Sequence, residues 1–147
     1  MKALFTIIII SLGFVFVAFS QTTNDFPKAS WAFVGYASPD SALESWTWAL
    51  AAGDKKVMLQ SLTPEAQKEW QKQLAGLTDE QLKAQAAQGA AKQTGYTIRK
   101  RQVVSDVEVV LRISMIGSDQ VVGMDVKKIG SEWKVAGEKK IELYDAD

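Results

Sequence analysis

The chain contains no histidine and no cysteine among its 147 residues. Without His there is no imidazole to serve as general base, to complete a Ser-His-Asp triad or to ligate a metal. Without Cys there is no disulfide, no thiolate nucleophile, no cysteine-type zinc site and no lipid-modified N-terminal cysteine. An excess of charge is missing as well: 17 Lys+Arg balance 17 Asp+Glu, so the electrostatic footprint of a nucleic-acid binder is absent. No GxGxxG, P-loop, HExxH, GxSxG or EF-hand spacing occurs, and there is no internal repeat. Neither a metal nor a cofactor is expected.

What is present begins with a leader. Lys2 precedes an uncharged stretch, residues 3–19, rich in Ile, Phe and Val, and Ala18-Phe19-Ser20 puts small residues at −3 and −1 of a cut before Gln21. This is the pattern of a secretory signal peptide, so residues 1–20 predict export to the periplasm or the medium. An uncleaved anchor is the alternative, although a span needs ~20 apolar residues and this run is short of that. Cleavage would leave 127 residues with 16 basic and 17 acidic groups. That length suits one domain.

Residues 21–37 read as a polar linker followed by an aromatic lead-in, Trp31-Ala32-Phe33-Val34-Gly35-Tyr36, that packs on the domain or docks elsewhere. Residues 38–147 read as a single α+β domain. Ser38 as cap, Pro39 at N1 and Asp40 in the first turn start a helix whose Leu43, Trp46, Thr47 and Leu50 share one face. Gly53-Asp54 stops it, and a short helix follows over residues 55–62. Thr63-Pro64-Glu65 repeats the start signal for a third helix to about Ala75. Thr78 and Gln81 form a capping box for a fourth, Ala- and Gln-rich helix to about Ala91, with Leu82 its only large apolar residue. Such a helix has little to bury and is expected at the surface.

After Gly95 the period changes to two. Val107, Val109, Leu111, Ile113 and Met115 alternate with Glu108, Val110, Arg112, Ser114 and Ile116, predicting a strand with one apolar and one mixed face. Gly117-Ser118-Asp119 and Gly130-Ser131 mark turns to two further strands. Tyr96, Ile98 and Val104 predict an earlier strand, bulged near Lys100-Arg101. Helices first and an antiparallel meander of about four strands afterwards is an α+β order.

The candidate ligand-binding residues are Trp46, Trp48, Trp70, Met115, Met124 and Trp133. Trp46, Trp70 and Trp133 are in phase with apolar neighbours, which core packing also explains. Trp48 lies about 200° round the helix from Trp46 and faces elsewhere. Met115 and Met124 fall on neighbouring strands, as core filler or as an adaptable binding surface. Glu108, Arg112 and Asp125, with Lys127, are candidates for a polar pocket or for solvated cross-strand pairs. Arg99-Lys100-Arg101 is the densest positive cluster, with a charged strand margin as the plain account.

The punctuation of Ala42-Leu43-Glu44-Ser45-Trp46 through Gly53-Asp54, then Ser61-Leu62-Thr63-Pro64-Glu65, and the closing hairpin Gly130-Ser131-Glu132-Trp133-Lys134-Val135, together resemble nuclear transport factor 2-like (cystatin-like, SnoaL-related) domains over roughly residues 38–143. Residues 31–54 also resemble uncharacterised secreted or surface proteins of environmental bacteria. The resemblance implies helices packed on a curved antiparallel sheet, a cone with a pocket. Enzymatic members place His, Asp, Tyr or Arg in that cone. Here His is missing, and Asp125 and Tyr96 match no spacing of the ketosteroid isomerase branch. The expectation is therefore an exported, non-catalytic domain binding a small molecule, a peptide or an envelope protein. A dimerisation module pairing through Val110 and Ile116, and a carboxylate enzyme using Glu108, Asp125 and Tyr96, are the alternatives.

Overall fold

A computed structural model describes residues 24–139. The signal peptide read at residues 1–20, and residues 140–147 of the domain read at 38–147, lie outside the described residues. Among the described residues no helix is long and apolar enough to cross a membrane.

The elements run β1 (Asp25–Pro27), a single 3-10 turn, α1 (Pro39–Ala52), α2 (Lys55–Gln60), α3 (Pro64–Leu74), α4 (Asp79–Ala91), β2 (Gly95–Ser105), β3 (Glu108–Met115), β4 (Val121–Ile129) and β5 (Glu132–Lys139). The fold is α+β, as the order of sequence periods predicts. The helix starts follow their caps. Ser38 Oγ accepts from Ser41 N while Ser41 Oγ accepts from Ser38 N, a reciprocal box. Thr63 and Thr78 cap α3 and α4 in the same way, the latter with Gln81 closing the box. Gly53 ends α1 with φ +66°, a conformation that costs a side chain its usual clearance.

The sheet is one curled antiparallel meander in the order β1-β2-β3-β4-β5. It has five strands where the sequence periods suggest about four. The extra one, β1, comes from the stretch read as linker and pairs Phe26 with Tyr96. Irregular register at Ile98/Lys100, Val103/Ser105 and Asp125/Val126 bends the strands, the first of these beside the expected bulge. The edge strand β5 meets the α2–α3 connection: Thr63 N donates to Val135 O, and Val135 N donates to Ser61 O. Trp133 N donates to Tyr36 O.

The apolar parity of β3 faces the helices. Leu111, Val126 and Val135 are fully buried with Leu43 and Leu62 in the main core. Ala49, Met58, Leu74 and Leu82 make a second cluster among the helices. The aromatic lead-in is tied down over α1: buried Ser45 accepts from Val34 N and donates to Gly35 O. Trp31 is buried and donates from Nε1 to Phe26 O, while Phe33 and Val34 stay exposed. α4 lies along α1 at the surface, with Leu82 alone buried.

Candidate functional site

The inner face of the sheet is not filled by α1. A cavity of about 420 Å³ lies between α1, α4 and strands β2 to β5. From α1 come Leu43, Trp46, Thr47 and Leu50, the face that helical spacing picks out, and three of these are only half-buried because they meet a void. From the sheet come Tyr96, Ile113, Met115, Val122 and Met124, with Trp31 at the side. α4 supplies Ala86, Gly89 and Ala90, and Gln93 follows it. Three small residues where larger ones would reach across keep the space open. Among the described residues Glu138, on β5, is the only charged side chain on the wall.

Two residues of this wall carry a buried polar atom with no hydrogen-bond partner among the described residues: Trp46 at Nε1 and Tyr96 at Oη. The Tyr96 ring is fixed by stacking on Phe26, centroids 4.9 Å apart and nearly parallel, and by Trp31 at 6.0 Å. Burial, with the Glu44 and Asp40 carboxylates nearby, pushes the Tyr96 phenol well above its ordinary range, so it stays protonated. Burial also raises Glu44, against a backbone hydrogen bond at Ala32 that lowers it. Trp46 is held edge-on by Trp70, centroids 6.0 Å apart. The Thr47 hydroxyl is satisfied by Leu43 O.

Of the six apolar candidates, Trp46, Met115 and Met124 line this cavity together. Trp70 stands behind Trp46 and does not reach it. Trp48 turns away, as its angle on the helix predicts, toward Phe33 and a shallow groove at Gly53–Lys56. Trp133 packs half-buried on the main core at β5. Among the wall residues that sequence reasoning did not put forward as binding candidates are Ala86, Gly89 and Ala90 of α4. They carry no chemistry of their own, and their one signal is a run of small side chains at helical spacing.

Glu108, Arg112 and Asp125 share a face, as their parity predicts, but it is the outer face of the sheet, away from the cavity. Lys139 Nζ reaches Glu108 Oε1 at 3.0 Å, and Lys127 Nζ lies 3.6 Å from Asp125 Oδ2. Arg112 is buried and donates to Gln102 Oε1. The Lys139 hydrogen bond lowers Glu108, whereas burial and then the Glu108 charge raise Asp125. Tyr96 sits on the inner face, so the sheet separates the three suspects of the carboxylate reading. Val110, offered for pairing, is buried within the chain itself, while Ile116 is exposed. The basic run is likewise divided: Arg101 clasps Asp40 at the start of α1, with Nη2 2.6 Å from Oδ2, and Arg99 Nε donates to Ser114 Oγ.

Comparison with protein-family models, with curated proteins and with solved structures finds no match.

Proposed function

We propose that the protein is an exported, non-catalytic binding domain, built as a nuclear transport factor 2-like cone, whose inner cavity takes a small apolar molecule. The observation that carries this reading is the 420 Å³ space walled by α1, α4 and the sheet. It falls within the ~300–1,000 Å³ range of small-molecule sites and has their mostly apolar lining with a few polar groups. The leader at residues 1–20 supports export, and intact mass of protein recovered from the envelope or medium checks it, with a chain starting at Gln21 expected.

Gly89 gives a direct test of the cavity. It lies on the wall, and a Cβ placed there meets nothing within 4 Å. Gly89→Leu therefore puts a larger side chain at the cavity margin with no clash at Cβ and replaces a poor helix former by a good one. Fluorescence titration with N-phenyl-1-naphthylamine, an uncharged apolar probe, is expected to saturate at one probe per chain. The variant should lose at least tenfold in affinity while α4 gains about 0.5–1 kcal/mol of helix propensity. Equal affinity in both proteins would place binding elsewhere.

A further inference from the structure

The cavity opens beside the second half of α4. Of its wall residues, Gly89 and Gln93 on the helix side and Glu138 on the strand side are exposed. Their exposure puts the mouth between α4 and the end of β5. One lip of that mouth is therefore a stretch of helix with few attachments. After Leu82 none of residues 83–91 is buried, and Gly89 weakens the helix from within.

The chain is fixed on either side of this stretch. Leu82 sits in the second cluster, and the Lys83 backbone lies close against Gly53. Beyond the helix, Lys28 N donates to Thr94 O at 2.9 Å. Between these points one hydrogen bond reaches α4 from outside, among the described residues: Lys28 Nζ donates to Ala90 O at 2.8 Å. Gln93 N shares that carbonyl but lies in the same turn and fastens it to nothing else. The last turn of a helix has spare carbonyls and the negative end of the dipole, so a cation is favoured there. α4 has no basic residue in its own last turn, and Lys28 supplies the charge. Lys28 itself is firmly seated. It follows Pro27 of β1, which pairs with Gly95, and precedes Trp31, a buried residue of the wall. It thus joins the fixed side of the cavity to the loose one.

We propose that Lys28 is the latch of the cavity: its ammonium, bound to the Ala90 carbonyl, holds the second half of α4 closed over the ligand, and release of that bond sets the rate of ligand exchange. This rests on the binding reading above and adds its regulation. Opening of the lip precedes both entry and exit, and each passage breaks the same bond. Removing the latch therefore speeds both steps by one factor and leaves their ratio, the affinity, where it was. A side chain that merely supported the occupied state would change exit alone.

Stopped-flow fluorescence with N-phenyl-1-naphthylamine tests it on the full chain, mixing for entry and dilution for exit. In Lys28→Met both rates should rise about three- to tenfold, while the affinity moves less than about twofold. Lys28→Arg keeps a cationic donor and should stay within about twofold of wild type in both rates. Lys92→Met removes an equal charge from the same helix end without touching the latch, and it too should stay within about twofold. Hydrogen exchange reads the latch without any ligand. Amides 86–91 should exchange faster in Lys28→Met, while amides of α1 keep their wild-type protection. Unchanged rates in Lys28→Met, or a rise in exit alone with affinity falling in step, would overturn the latch. So would unchanged exchange over residues 86–91. In each case saturable probe binding would leave the cavity reading intact. Wild-type protein that takes no probe removes that reading and this inference with it.

Discussion

Helices α1 and α4 start with the same device and end in different situations. Each opens on a hydroxyl cap answered by the third residue, Ser38 with Ser41 and Thr78 with Gln81. α1 then buries Ala42, Leu43, Ser45 and Ala49, fixed between the sheet, the lead-in and the second cluster. α4 buries Leu82 alone and presents Ala86, Gly89 and Ala90 to a void. The cap decides where a helix begins, and what it packs against decides how firmly it is held. The cavity exists because one of its walls is the weakly anchored helix.

The largest test of this contrast is truncation of the two leucines. Leu43→Ala should cost about 3–4 kcal/mol in urea unfolding and act on the whole domain. Leu82→Ala should cost nearer ~2 kcal/mol, since its smaller cluster can collapse around the gap. Hydrogen exchange should then show α4 amides opening well before those of α1. Equal losses with uniform exchange would erase the difference between the helices.

A middle-sized effect is expected where they touch. Gly53 ends α1 at positive φ, and a Cβ there would lie 2.8 Å from Lys83 Cα on α4. Gly53→Ala should cost about 1–3 kcal/mol through backbone strain, and more of it should appear in α4 protection than in α1 protection. The smallest test removes the caps. Ser38→Ala and Thr78→Ala should each cost about 1 kcal/mol locally. The first should lower the unfolding midpoint of the domain, while the second should register as faster exchange within α4. A Thr78→Ala variant with a full global loss would show that α4 folds and unfolds with the core.

The same contrast explains what the sequence made legible. Caps, N1 prolines and stop glycines are local signals, and at Ser38, Gly53, Thr63 and Thr78 they locate the helix ends. Alternation likewise places Met115 on the inner face, and Glu108, Arg112 and Asp125 together on the other. Three things depend on tertiary placement and carry no local signal. β1 is three residues ending in Pro27, too short to show a period. Trp46 and Trp70 are equally in phase, yet only packing decides that Trp46 meets the void and Trp70 backs it. Parity groups polar residues without saying which face holds the cavity, and the polar face proves to be the outer one. The alanines of α4 define the site by their small size, which no search for reactive groups would find.

The bonds along the sheet margins have a consequence for behaviour at high concentration. A free strand edge invites pairing with another chain. Here β1 is three residues long and includes Pro27, which has no amide hydrogen to offer. On the other side, the Val135 amide and carbonyl are taken by Ser61 and Thr63, and the Trp133 amide by Tyr36. An incoming strand therefore finds an occupied stretch in the middle of the β5 margin, whereas β1 covers only residues 95–97 of β2. On the β5 side, ordinary connecting segments act as the guard of the sheet.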